Sequence, residues 1–384
     1  MTENAWRSAR LALGTASALG LGRFAYGLVL PAMSDQLGWN LTQAGAMTTA
    51  NGFGYLVGAM TTAAVSRRIG TAATFRLGMV LCAVALAATA ASGEYPALLA
   101  ARALAGFAGA LVFVAGAVMT PTIVYFAGTG LGIALSGAAL PLLLDQHPER
   151  WPLAWAGLAA AGGLAAAVSW TAARPPETSA SNTHTAAGHR LWAVAVAYLL
   201  FAAGYITYIT FLSAYLADRH ATTTQTTLTW TLLGVAVMAA PALWQRHIAR
   251  RPGGRLLAVL LGVIAATAAL PLLAPAQPVV MTSALVYGAT FMAVPAAVTA
   301  LVGAATPPER LTGTMAVFTA VFAAGQTAGP WLAGALADHT TPGAALGWTA
   351  VLCGLGALLS ATTVTPRSSP AVKERAIEPA NRTI

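Results

Sequence analysis

Apolar residues run through this chain in stretches too long for a soluble core. A helix needs about 20 apolar residues to cross the roughly 30 Å hydrocarbon layer of a bilayer, and the pattern predicts twelve such spans. The first six lie at about 8–33, 44–65, 77–93, 97–119, 122–144 and 153–172. The second six lie at about 191–216, 227–244, 256–274, 279–303, 315–337 and 344–364. Only Met119, Thr120, Pro121 and Thr122 separate the fourth from the fifth. As one helix, that stretch would be roughly 70 Å long, beyond any tilted span, and Pro121 disfavours helix at the residue before it.

Shifting the chain by 182 residues lays Gly22 on Gly204, Tyr26 on Tyr208, Gly52 on Gly234, Arg68 on Arg250 and Gly106 on Gly288. A constant offset across several loops indicates a parallel duplication. The expected fold is an all-α membrane protein of 12 transmembrane helices in two pseudo-symmetric six-helix bundles, residues 1–172 and 191–364. A polar cytoplasmic linker, 173–190, joins them, and a polar tail, 365–384, is expected to be disordered. Gly54 and Gly58, Gly128 and Gly132, and Gly325 and Gly329 each share a helix face and permit close helix approach, for packing or for sliding contacts.

Composition agrees: 57% of the 384 residues are hydrophobic and 8% charged, against roughly a quarter charged in soluble domains. With both termini cytoplasmic, Arg7, Arg10, Arg67, Arg68, Arg76, Arg174, Arg190, Arg246, Arg250, Arg251, Arg255, Arg310, Arg367, Lys373, Arg375 and Arg382 fall inside, and only Arg150 and Arg219 outside. That bias is the one positive-inside topology requires, and a miscount by one span would erase it. The net charge of +9 therefore reads as loops facing anionic lipid, not as nucleic-acid binding. The first apolar run is expected to be retained as a span and not removed as a signal. Cys82 and Cys353 both fall in apolar stretches and read as buried thiols.

Two basic residues remain within spans, Arg23 and Arg102, while every acidic residue and histidine falls in a loop, tail or helix end. Intramembrane charge costs several kcal/mol on insertion scales, so such residues face a cavity or a partner. A guanidinium stays charged and offers a planar fork of donors matched to carboxylate, phosphate or sulfonate. The sharper reading is an anionic substrate. Its rival pairs Arg102 with Asp35 or with backbone carbonyls, and leaves Arg23 to cavity water and helix ends. Arg23 and Tyr26 share a face, as do Asn51 and Tyr55. Tyr205, Tyr208, Leu212 and Tyr215 form a stripe at helical period, and Gln326 sits within the eleventh span. Candidate substrate contacts are thus Arg23, Tyr26, Asn51, Tyr55, Arg102, Tyr205, Tyr208 and Gln326.

Arg102-Ala-Leu-Ala-Gly106 and the basic loops after the second and eighth spans resemble the major facilitator superfamily of secondary transporters. More narrowly, Leu19-Gly-Leu-Gly-Arg-Phe-Ala-Tyr-Gly-Leu-Val-Leu-Pro-Ala-Met33 resembles the YbfB/YjiJ-type bacterial subgroup. The stretches Gln43-Ala-Gly-Ala-Met-Thr-Thr-Ala-Asn-Gly-Phe-Gly-Tyr-Leu-Val-Gly58 and Val124-Tyr-Phe-Ala-Gly-Thr-Gly-Leu-Gly-Ile-Ala-Leu-Ser-Gly137 are similar to it as well. The resemblance implies a monomeric, multi-pass protein of the bacterial plasma membrane, working by alternating access on a small-molecule substrate. A coupling proton or counter-substrate would accompany it, with no cofactor. It also implies gating roles for Arg67, Arg68, Gly70 and Arg250, with Asp35 as the titratable candidate. In the loop after the second span, Arg67 stands where the superfamily pattern has Asp.

No phosphate-cradling Gly-x-x-x-x-Gly-Lys-Ser/Thr pattern is present. The spans also lack the His, Asp or Glu cluster that intramembrane catalysis would want, so an enzyme is not expected. The alternative within transport is a proton-coupled multidrug or amphiphile efflux pump in which the intramembrane arginines are structural.

Overall fold

The computed structural model describes residues 3–120, 122–174, 191–250 and 252–363, and these are helical with short connections. Twelve long helices follow one another: α1 Glu3–Leu37, α2 Leu41–Ile69, α3 Thr71–Ala91, α4 Tyr95–Ala117, α5 Thr122–Leu144, α6 Trp151–Ser169, α7 Trp192–Asp218, α8 Thr223–Arg250, α9 Gly254–Leu273, α10 Gln277–Ala305, α11 Pro308–Asp338 and α12 Gly343–Ala361. Each overlaps one expected span. The linker beyond Arg174, the tail from Val364, Pro121 and Arg251 lie outside the described residues.

Ten of the twelve are long and apolar enough to cross a membrane; α2 and α11 are not. Both are long, at 29 and 31 residues, so polarity and not length sets them apart. The reason is their neighbours: α2 packs on α4 and α11, and α11 on α2 and α7, so Asn51, Gln326 and several threonines face protein and not lipid. Polar residues lower the hydropathy of a helix without exposing anything costly when a neighbouring helix covers them.

Within residues 3–174, α2 packs on α4, α3 on α4 and α6, and α5 on α1. Within 191–363, α8 packs on α10, α9 on α10 and α12, and α7 on α11 and α12. Contacts between these two sets run through α5 with α8, α2 with α11 and α1 with α7. The 182-residue repeat reappears in three dimensions. A Cβ on Gly106 would strike the Asn51 carbonyl of α2, and a Cβ on Gly288 would strike the Leu233 carbonyl of α8, two contacts related by the same shift. Gly52 meets α11 at Gln326 and Thr327, and Gly234 meets α5 at Ala134. The three glycine pairs are packing contacts: Gly54 and Gly58 against α4, Gly128 and Gly132 against α1, and Gly325 and Gly329 against α7.

The described ends, Glu3 and Thr363, lie at helix ends on one face of the molecule, here the terminus face. The turns at Gly38, Ser92, Asp145, Arg219, Ala274 and His339 form the far face. A single residue, Gly70, joins α2 to α3 at φ +86°, a conformation that costs glycine little and other residues more.

Candidate functional site

The first helix changes type in its middle. Ala16–Phe24 is a nine-residue π-helical stretch in which Ala25 N–H reaches the Gly20 carbonyl at 3.0 Å. π-Helix is rare and concentrates at functional sites. Here it accompanies a close approach, because Gly20 and Gly132 meet almost backbone to backbone where α1 crosses α5. Arg23 sits in the last turn of this stretch and is 6% exposed.

Its Nη2 donates to Gln326 Oε1 of α11 at 2.8 Å. The Tyr205 hydroxyl of α7 donates to the same oxygen at 3.3 Å. The Arg23 guanidinium lies 5.4 Å from the ring centre of Tyr55 and 6.0 Å from that of Phe24, within cation–π range. Arg23, Tyr55, Tyr205 and Gln326, named separately in the sequence, therefore form one cluster on four helices. Two of its donors, Arg23 Nε and Gln326 Nε2, are buried with no hydrogen-bond partner among the described residues.

Arg102, Tyr26 and Asn51 make a second cluster. The Arg102 guanidinium stands 5.0 Å from the ring of Trp155 and 5.4 Å from that of Tyr26, and its Nε and Nη1 are buried with no hydrogen-bond partner among the described residues. Asn51 Nδ2 donates to the Arg102 carbonyl at 3.1 Å, and the Tyr26 hydroxyl donates to the Ala44 carbonyl at 2.8 Å. The rival pairing of Arg102 with Asp35 or a backbone carbonyl is not what this geometry shows. Asp35 is exposed in the last turn of α1 and accepts from Gln36 at 3.3 Å. Aromatic faces take the place of the carboxylate, since a ring face attracts a guanidinium without the desolvation cost that a buried acid would carry.

Tyr208 belongs to neither cluster. Its hydroxyl bonds Ser283 at 2.8 Å and its ring stacks 4.0 Å from Tyr287, inside the contact between α7 and α10. Of the gating candidates, Arg67, Arg68 and Arg250 are exposed at helix ends on the terminus face, and Gly70 forms the tight α2–α3 joint. Among the described residues the ion pairs are His147–Glu149 and Arg219–Asp218, both exposed, so no described carboxylate answers either buried arginine.

Two features escaped the sequence reading. One is a column of near-parallel rings: Phe201 lies 4.8 Å from Tyr205 at 15°, Tyr198 lies 4.8 Å from Phe322 at 23°, and Tyr205 lies 5.8 Å from Phe291 at 20°. Tyr198, Phe201 and Tyr205 stand at helical spacing, but α7 is buried on nearly every side, so periodicity alone selects no face. The other is a pair of far-face carboxylates. Asp338, ending α11, accepts from the backbone N–H groups of Leu41 and Thr42 at the start of α2. Asp145, following α5, accepts from the hydroxyl of Thr223 at the start of α8 at 2.6 Å. No local pattern links residues so far apart in the chain.

Residues 15–365 match the family model described as "Uncharacterised MFS-type transporter YbfB". The chain belongs to this family of the major facilitator superfamily. YbfB-type proteins are transporters and not enzymes by this classification. The fold agrees. The nucleoside transporter NupG is 12% identical with a TM-score of 0.71, covering 94% of this chain and 98% of its own. A bacterial homologue of the human lysosomal transporter Spinster, inward-facing and unoccupied, is 14% identical with a TM-score of 0.67, covering 95% and 100%. The human organic anion transporter MFSD10 (TETRAN) is 16% identical with a TM-score of 0.55, covering 94% and 100%. Comparison with curated proteins by sequence gave no match.

Proposed function

We propose that this YbfB-type protein is a secondary or facilitative transporter that moves a small organic solute bearing an anionic group by alternating access. The two moving bodies are the six-helix halves 1–172 and 191–364. The terminus face is cytoplasmic, because it carries the arginine-rich helix ends while Arg150 and Arg219 fall on the far face. In a bacterium that membrane is the plasma membrane.

The observation that carries this reading is the Arg23–Gln326 contact. It joins the two halves through a buried charge whose Nε, with Gln326 Nε2, is left unfilled. A buried donor without a partner costs about 1–3 kcal/mol, and a carboxylate is an acceptor of the kind these donors lack. No described carboxylate or imidazole bonds to this cluster, so exchange or facilitated movement suits it better than proton coupling at the site itself.

The efflux alternative has its own observation. Gln326 and the ring of Tyr55 already hold Arg23, and an aromatic wall accepts lipophilic cations. Flux into sealed proteoliposomes separates the two readings. Uptake of organic anions that is lost in Arg23→Ala, with intact folding, supports the first. Transport of cationic dyes unchanged in Arg23→Ala overturns it.

A further inference from the structure

We propose that the solute is an aromatic carboxylate, its ring held by the aromatic column of α7, α10 and α11 and its carboxylate by Arg23 and Gln326. This inference rests on the anion reading of Arg23. It adds a substrate class, taken from a different set of residues.

The column and the charge meet at one atom. Tyr205 stacks on Phe201, Phe291 and Phe322 with interplanar angles of 15°, 20° and 19°. Its hydroxyl donates to Gln326 Oε1, which also receives Arg23 Nη2. The rings stand on the second half of the chain, and Arg23 and Tyr55 stand on the first. A flat acid lying between the halves would place a π-face against parallel rings and an oxygen pair against two unfilled donors. Random core packing favours offset and edge-on pairs alike. Across Tyr198, Phe201, Tyr205 and Phe322, however, the stacked pairs stay within 27° of parallel.

The other end of the column opens outward. Phe318 lies 6.3 Å from Tyr198 and helps to line a pocket of about 540 Å³ at the terminus-face end of α7 and α11, with Arg310, Trp192 and Val317. Trp192 and Val317 are 62% and 58% exposed, on helix surfaces that lipid would cover. The pocket thus offers a cation beside apolar surface, matched to an amphiphilic acid lying in the cytoplasmic leaflet. Phe322, half-buried, continues the aromatic wall from there toward Arg23.

Isothermal titration of the purified full-length protein tests this with three probes: 2-naphthoate, its saturated counterpart decahydro-2-naphthoate, and 2-naphthylmethylammonium. We expect 2-naphthoate to bind about ten-fold more tightly than the saturated acid, a ~1.4 kcal/mol difference of the size that aromatic stacking supplies. Phe322→Leu should reduce that ratio toward one, and Arg23→Gln should remove binding of both acids. Equal binding of the two acids by the unmutated protein overturns the aromatic assignment and leaves the anion reading standing. Preference for the ammonium probe, unaffected by Arg23→Gln, overturns both. Absence of binding by either acid also overturns the assignment, and because this comparison uses the unmutated chain it does not depend on how a variant folds.

Discussion

Asp338 caps the helix that begins at Leu41, although 297 residues separate them in the chain: its Oδ1 accepts the Leu41 N–H at 2.7 Å. Its Oδ2 accepts the Thr42 N–H at 2.9 Å, and Asn40 takes the Gln43 N–H at 2.8 Å. The leading N–H groups of α2, which no helix can satisfy internally, are thus shared between a local cap and a carboxylate from α11. The carboxylate also meets the positive end of the helix dipole. Asp145 and Thr223 form the corresponding contact between α5 and α8.

These contacts tie residues 3–174 to residues 191–363 at the far face, so Asp338→Ala should loosen that tie. Losing a helix cap costs about 1 kcal/mol, or roughly a five-fold shift in a two-state equilibrium. Cysteine labelling at position 42 from the far-face side should rise accordingly, and Asp338→Ala combined with Asp145→Ala should raise it further. Unchanged labelling in both would show that these contacts do not hold the far face.

Arg23→Lys keeps the charge but not the planar fork. Anion affinity should fall by roughly ten- to hundred-fold, the worth of one or two charge-assisted hydrogen bonds, and Arg23→Ala should fall at least as far. Competition binding measures both. Gln326→Glu, which places a carboxylate beside Arg23, should act as an internal anion and abolish anion binding while preserving the thermal melt.

Gly54→Leu should be destabilising, because its first added carbon would fall on the Ala103 backbone where α2 meets α4. Overpacking of that kind costs about 1–3 kcal/mol and should appear as a lower melting temperature in detergent. Gly163→Ala, in α6 with open space around it, should instead raise stability by up to about 1 kcal/mol from helix propensity.

Binding of a permanently ionised sulfonate should be flat between about pH 6 and 8, since no described imidazole or carboxylate bonds to Arg23 or Gln326. Glu149, on the far face, has its carboxyl held below the ordinary range by backbone hydrogen bonding and by His147. A depressed carboxyl stabilises above its unfolded value, about 4.3, and loses that contribution only as pH falls below it. It therefore adds no slope between pH 6 and 8. A bell-shaped binding profile in this range would point to a titrating group that the cluster lacks.

The sequence by itself determined the number, order and type of the helices, because apolar runs of span length separated by polar turns leave no other arrangement in a bilayer. It also determined the repeat: Gly106 and Gly288 meet positions related by the same shift that aligned them. Arg23, Tyr55, Tyr205 and Gln326 were each legible as polar groups in apolar surroundings, for the same energetic reason. Which of them meet was decided by tertiary structure. Tyr26 and Tyr208 look equivalent along the chain, yet Tyr26 lies under Arg102 and Tyr208 stacks on Tyr287, because the two halves carry different neighbours at matching positions. The π-helical stretch around Arg23, the ring column and the Asp338 cap likewise depend on contacts between distant helices. Hydropathy and spacing record only how polar a residue is and which face of its own helix it occupies. They do not record which other helix fills the space opposite.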